Sequence, residues 1–297
     1  MSKKRRLAYA ALIVNTVVWG LAAPIVKPAL SVVTPEKFLF YRFLLAAIIT
    51  CPYLLIMMKR VRLSTANLIK IVLLELLGTT LLLWMIYTAL KLTTAVESAL
   101  IYSTSPLFVT IAGIIFLRER ETKNEWRGLA LALIGTIIIT LSPLLGAGKL
   151  TFSGSFAGNT LMIAQNILWA VYLILAKKIY RRVPKLIVTG ISFWVGLISF
   201  YILAGGNQLS QLLADMTNLS VFFAVVYMAI LGSIVGATTY LFAQNLIEVS
   251  EATIFTYLEA FVAIPAAVFF LKEPLTPWTM AGIAVIAIGV YINGFKK

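Results

Sequence analysis

Ten mostly apolar stretches, each about as long as a helix needs to cross a bilayer, limit this chain's fold more than anything else in it. They lie near residues 7–30, 37–58, 66–90, 93–117, 124–143, 155–180, 184–205, 219–246, 249–271 and 276–294. About 30 Å of hydrocarbon takes roughly 20 helical residues at 1.5 Å each. Since lipid offers no water to a backbone N–H or C=O, a helix that satisfies both internally is the natural way across. Composition agrees: 61% of residues are hydrophobic and 12% charged, too few polar groups to cover a water-facing surface. Connections between the stretches are short and leave no room for a soluble catalytic or ligand-sensing domain. The expected fold is an all-α integral membrane protein with ten transmembrane helices.

The net charge of +14 is distributed by side. With a cytoplasmic N-terminus, that face collects Lys3, Lys4, Arg5 and Arg6, then Lys59, Arg60, Arg62 and Lys70, then Arg118, Arg120, Lys123 and Arg127. It also takes Lys177, Lys178, Arg181, Arg182, Lys185, Lys296 and Lys297. Lys27, Lys37, Arg42, Lys91, Lys149 and Lys272 are left for the other face. This positive-inside bias puts both termini in the cytoplasm and the protein in the cytoplasmic (cell) membrane. The basic residues form no groove-reading patch, so no nucleic-acid partner is expected. The opening MSKKRRLAYAALIV looks like a secretory signal, but the apolar run continues to Leu30 and reads as a retained first helix.

The sequence contains no histidine, and its single cysteine, Cys51, lies inside the second span. Zinc sites built on histidine, catalytic triads and disulfide frameworks are thereby excluded, and neither a metal nor a cofactor is expected. No phosphate-binding G-x-x-x-x-G-K-[ST] motif is present to couple ATP hydrolysis.

The chain also repeats itself. An offset of 154 residues places Glu97 on Glu251, the FLRE segment (Leu117, Arg118, Glu119) on FLKE (Leu271, Lys272, Glu273), and Gly78, Gly128 and Gly135 on Gly232, Gly282 and Gly289. A slightly shorter offset places Asn15, Trp19 and Lys27 on Gln165, Trp169 and Lys177. Any single match is weak; the shared register carries the weight. A duplicated unit with an odd number of spans must enter the membrane in opposite directions. The expected organisation is two inverted five-helix repeats, 1–145 and 146–297, a device that recurs in secondary transporters. The glycine pairs, seven residues apart on one helical face, read as close-packing positions, with a homodimer as the candidate assembly.

At this point a family resemblance becomes specific. WGLAAPIVK, PEKFLFYR with Arg42, SPLFVTIAGIIFLRERETKNEWRG and YLEAFVAIPAAVFFLKEPLTPWTMAG resemble EamA-type members of the drug/metabolite transporter superfamily over nearly the whole chain. The resemblance implies ten helices in two EamA repeats and transport, usually export, of amino acids and related amphipathic metabolites. Where the family often has Glu-Pro in the ninth span, this chain has Glu259 followed by Ala260, with Pro265 further on.

Charged side chains deep in a bilayer cost about 2.5–3.5 kcal/mol on insertion scales and need a reason to be there. Glu259 lies near the middle of the ninth span, with Tyr257 nearby, and Glu75 is halfway along the third. Both are candidates to line a cavity or carry protons, the candidate coupling ion; the alternative is a carboxyl that glues two helices together. Arg42, one turn into its span, either snorkels to the interface or, as the resemblance suggests, pairs with Glu97 or an anionic substrate group. Asn15 and Trp19 share one helical face, as do Gln165 and Trp169, and at their depth they suggest opposite walls of one cavity. Trp84, Tyr87, Tyr102, Tyr172, Tyr240 and Gln244 would add aromatic and amide surface for an amphipathic solute. Pro106, after a run of hydroxyl residues, is expected to kink the fourth span. A secondary transporter or facilitator for small organic metabolites is the leading reading. The runners-up are a non-transporting structural or sensory membrane protein and, well behind it, a lipid-modifying membrane enzyme.

Overall fold

The computed structural model describes residues 3–61, 63–117, 123–146, 154–180, 183–244, 246–247 and 249–294. Every regular element among them is helical. Seven helical stretches are long and apolar enough to cross a membrane: Lys4–Leu30, Pro35–Lys59, Thr65–Leu92, Ala95–Ala112, Ser155–Ala176, Leu186–Leu203 and Leu219–Tyr240. Three shorter apolar helices cover Trp126–Ser142, Leu258–Leu271 and Pro277–Gly289. Polarity is arranged inside out for a protein in water. Phe261, Phe269 and Phe270 are 72%, 77% and 71% exposed, whereas Asn15, Arg42, Glu75, Glu97, Gln165 and Glu259 are buried. Large apolar side chains in such numbers on a surface mark contact with lipid. The chain is a multi-pass helical membrane protein.

Several spans are interrupted, and the interruptions matter more than the regular turns. The first consists of α1 (Lys3–Gly20) and α2 (Ala22–Leu30), which part at Leu21. Pro24, in the first turn of α2, has no N–H to return to Gly20. α3 (Pro35–Arg60) starts after Thr34, whose hydroxyl accepts from the N–H of Lys37, with proline in the favoured first position. α4 (Thr65–Glu75) passes into α5 (Leu82–Leu92) through a π-helical stretch, Leu76–Leu81. The fourth span is broken as Pro106 predicts: α6 (Ala95–Ser103) and α7 (Ser105–Leu117) meet at Thr104. There the carbonyl of Ile101 accepts from the Thr104 hydroxyl at 2.6 Å and from the Asn166 amide at 2.7 Å.

α8 (Lys123–Gly146), α9 (Gly154–Ile179) and α10 (Lys185–Leu203) follow. The connection after α10 contains a further helix, α11 (Gln208–Met216). Asp215 ties it to the second span, accepting from Tyr41 at 2.6 Å and pairing with Lys37 at 3.2 Å. α12 (Leu219–Val226) runs through a second π-helical stretch, Tyr227–Val235, into α13 (Gly236–Gln244). α14 (Val249–Leu271) carries Pro265 without a break, and α15 (Pro277–Gly294) ends the described chain. Gly78 and Gly232, 154 residues apart, lie one in each of the two π stretches. A π turn shifts the hydrogen-bond ladder and is often found at functional positions.

The repeated glycines are used inside the chain, where α8 and α15 pack against each other. A Cβ on Gly289 would lie 2.8 Å from both the Ala132 nitrogen and the Gly128 oxygen, and one on Gly135 would lie 2.9 Å from the Gly282 oxygen. Backbone against backbone cannot yield cheaply, so these positions account for themselves without a second copy of the chain. We expect Gly289→Ala to destabilise the protein by about 1–3 kcal/mol, the usual range for overpacking, measured as a lower melting temperature in detergent; an unchanged melting temperature would show that α8 and α15 can part without cost.

A cavity with an unpaired arginine and an unpaired glutamate

Glu97, the N-terminus of α6 and the loop after α14 hold one end of the bundle together. Glu97 accepts from Ser142 at 2.6 Å, Thr93 at 2.7 Å and Asn159 at 3.2 Å. Lys272 takes a left-handed φ of 54°, which reverses the chain after α14. The next residue, Glu273, then caps α6 by accepting from the N–H groups of Ala95 at 2.8 Å and Val96 at 2.9 Å. A carboxylate at a helix N-terminus meets both orphan donors and the positive end of the dipole. Lys27 closes the same junction from the other side by donating to the carbonyls of Leu90 and Thr93. The junction joins residues far apart in sequence, and the FLKE segment earns its place in it through Glu273.

Further into the bundle lies a cavity of about 250 Å³. Seven of the residues singled out from the sequence as candidates line it: Trp19, Arg42, Tyr87, Tyr102, Gln165, Trp169 and Glu259. Asn15, Glu75, Trp84, Tyr172 and Tyr240 stand behind its walls or away from it. The side chains of Gln244 and Tyr257 lie outside the described residues. Trp84 donates to Glu36 at 2.6 Å, Tyr240 packs its ring 5.4 Å from that of Trp19, and Tyr172 stacks on Trp169 at 5.2 Å.

The two amide and indole pairs are in different states. Asn15 donates to the Gly236 carbonyl at 2.9 Å and Trp19 to the Gly232 carbonyl at 3.0 Å, so together they hold carbonyls of the second π stretch and the helix after it. Gln165 is fully buried in the cavity wall, and neither its amide nitrogen nor its oxygen has a partner. A buried amide left unpaired costs about 1–3 kcal/mol, so a group this placed is provided for something else.

Arg42 does not snorkel. It is 8% exposed and points into the cavity, donating from Nε to the Ser233 hydroxyl at 2.8 Å and from Nη1 to the Tyr87 hydroxyl at 2.6 Å. The Phe43 and Tyr87 rings flank it, with centroids 5.3 and 5.7 Å from its guanidinium carbon. Glu97 is engaged elsewhere, and among the described residues no carboxylate lies within ion-pair distance of Arg42. Glu259, on α14, faces the same cavity at 6% exposure and likewise has neither a hydrogen bond nor an ion pair among the described residues.

Glu75 forms a separate cluster behind the wall. It is 2% exposed and accepts from Tyr180 at 2.6 Å, Tyr172 at 2.9 Å and Thr79, which itself lines the cavity. Burial and the adjoining Glu75 carboxylate push the pKa of the Tyr180 phenol well above its ordinary value, so it stays a donor throughout the working pH range. Sequence reasoning missed Ser233 and Phe43 as parts of the site. The offset that matches Gly78 with Gly232 also matches Thr79 with Ser233, and each hydroxyl binds a buried ionisable side chain, Glu75 for Thr79 and Arg42 for Ser233; that signal was available.

A profile of the EamA-like transporter family matches residues 6–141 and again 156–295. The chain belongs to that family. It is 26% identical to an uncharacterized transporter of Archaeoglobus fulgidus, over 100% of this chain and 99% of that one. It is 27% identical to a protein of Salmonella typhimurium named a probable amino-acid metabolite efflux pump, over 98% and 95% of the two chains. One solved structure, described only as the crystal structure of a protein, superposes with a TM-score of 0.62 at 19% identity, covering 99% of this chain and 96% of its own, which shows the shared fold. As a member of the family the chain is a transporter and not an enzyme.

The three hydroxyl donors around Glu75 set up a simple test of that cluster. Glu75→Gln keeps the shape but turns an acceptor oxygen into a donor facing donors, and is expected to cost about 1–3 kcal/mol, again read as a lower melting temperature; a variant as stable as the parent would show that the cluster contributes nothing to stability.

Proposed function

We propose that this protein is a secondary transporter or facilitator of small organic metabolites, amino acids or related amphipathic solutes, working in the export direction across the bacterial cytoplasmic membrane. It does so by alternating access around the central cavity. Its ten spans form two inverted five-helix EamA repeats, 1–145 and 146–297, with both termini in the cytoplasm. A proton gradient or the substrate's own gradient drives the movement.

The observation that carries this reading is the unequal state of two repeat-equivalent pairs around one cavity. Asn15 and Trp19 hold the second π stretch, while Gln165 has no partner. In an inverted repeat, exchanging the conformations of the two halves converts one facing state into the other. An engaged latch in one half and a free one in the other fits a molecule in one of two such states. The double match of the family profile supports the repeat, and the name of the Salmonella relative supports the substrate class.

In proteoliposomes we expect saturable, chemistry-free movement of amino acids that Trp19→Ala and Trp169→Ala each reduce at least severalfold. Absence of saturable flux for any metabolite would overturn the reading. Cysteine labelling checks the topology: residues 119–125 and 178–184 are expected on the cytoplasmic face and 146–152 and 207–217 on the external one, and the reverse result for both members of either pair would rule out inverted repeats.

A further inference from the structure

We propose that a groove on the lipid-facing side of α3 and α10, roofed by α11, seats one acyl chain of a bilayer phospholipid. This lipid site is separate from the central cavity and does not depend on which solute the protein moves.

The groove is lined by Phe40 and Leu44 on α3, Leu197, Ile198 and Tyr201 on α10, and Leu209 on α11, and it presents only apolar surface. It shares no lining residue with the central cavity. Behind its floor the two helices are in close contact: a Cβ on Gly196 would lie 2.8 Å from the Phe43 ring, and Phe43 stacks on Phe200 with centroids 5.9 Å apart. Phe40 and Leu44, and likewise Leu197 and Tyr201, are one turn apart on their helices, so the groove runs along the helix axes and therefore along the direction of the surrounding lipid chains. Beyond its inner end the same strips continue with Ile48 on α3 and Trp194 on α10, both exposed. The groove is thus an indentation in the lipid-facing surface, open to hydrocarbon along its length. A helix from a second copy of the chain, roughly 10 Å across, is too wide to enter between two helices already in contact, whereas a single hydrocarbon chain is not.

α11 closes the other end. Gln208 is buried, Leu212 and Met216 pack on the core, and Asp215 is held by Tyr41 and Lys37, so this side of the helix faces the protein. Leu209 and Leu213, one turn apart, are 57% and 81% exposed, and Ser210, Ala214 and Thr217 occupy the remaining, exposed side. A helix with one free apolar side and one free polar side, joining the ends of two spans, belongs at the boundary between headgroups and acyl chains with its leucines turned to hydrocarbon. Leu209 then marks the depth at which a lipid's chain begins, and a chain descending from there enters the groove. Charge narrows the ligand further. Between Lys185 and Glu248 the sequence carries one charged residue, Asp215, and Lys37 on α3 pairs with it. Sites for anionic headgroups are built from clustered lysines and arginines, so this one selects through the acyl chain and is indifferent to the charge of the headgroup.

The test uses the full-length protein in vesicles of phosphatidylethanolamine and phosphatidylglycerol that contain a phosphatidylcholine with a photoactivatable diazirine on one acyl chain, and maps the adducts by peptide mass spectrometry. Labelling at Phe40, Leu44 and Ile198 is expected to exceed that at Phe261 and Phe269, which lie on open lipid-facing surface, by roughly 4–15-fold, the gain from burying one or two further methylenes at about 0.8 kcal/mol each. Ile198→Trp, which fills the groove from an exposed position, is expected to remove the excess at Phe40 and Leu44 and to leave Phe261 and Phe269 unchanged. Each position is compared with itself across variants, so differences in intrinsic reactivity cancel. If Ile198→Trp does not fold, Leu209→Ser, which takes away the roof, carries the same expectation. Replacing phosphatidylglycerol with phosphatidylcholine is expected to change none of this. The proposal is overturned if the groove positions label no more than Phe261 and Phe269, which would mean ordinary lipid contact only, if the excess survives the variants, or if it requires the anionic lipid. It is also overturned if Ile198→Cys forms a disulfide-linked dimer in the membrane where the parent does not, which would put a second copy of the chain over the groove.

Discussion

In hydrocarbon a backbone carbonyl released from its helix has nowhere to turn except to another part of the protein, and the architecture of this molecule follows from how it meets that condition. Four of the spans that line the cavity are interrupted: the first at Leu21, the third and eighth by π stretches, the fourth at Thr104. At two of these interruptions a side chain from another span answers the backbone. Asn15 and Trp19 meet carbonyls of the eighth span, and Asn166 with Thr104 meets the carbonyl of Ile101. Irregular backbone at membrane depth, satisfied in this way, is what makes room for polar groups around a central space.

The buried charges obey a related constraint with a different outcome. Glu75 and Glu97 are each surrounded by hydroxyl or amide donors, which makes them parts of the scaffold. Among the described residues, none forms an ion pair with Arg42 or Glu259. Removing an ionisable group from water without a partner is expensive, and the fold accepts that expense at two places that open on the same cavity. The contrast between satisfied and unsatisfied charges separates the groups that hold the bundle from those that face its interior space. Depth along a span, the only criterion available before folding, treated Glu75 and Glu259 alike.

The glycines make the same distinction between pattern and outcome. Their seven-residue spacing marks a face on which helices approach closely, and that is what α8 and α15 do. Whether the partner helix belonged to the same chain or to another was undetermined by spacing, because a helix face carries no label for what covers it.

Sequence alone determined the lipid-embedded helical class and where the apolar stretches lie along the chain, since both follow from local hydrophobicity along one dimension. It also implied the kink at Pro106, because a missing N–H is a property of one residue. Tertiary structure decided which of the aromatic, amide and charged residues face a common space: Trp19, Gln165, Trp169 and Glu259 do, while Glu75 stands behind Thr79 and Trp84 turns away to Glu36. It decided that Arg42 points inward beside Ser233 and Tyr87, and that the segment after α14 bends back through Lys272 so that Glu273 caps α6. These are contacts between residues up to 191 positions apart, and no local pattern encodes them, because rotation of a helix about its axis and the choice of its neighbour are settled only when all the spans pack together.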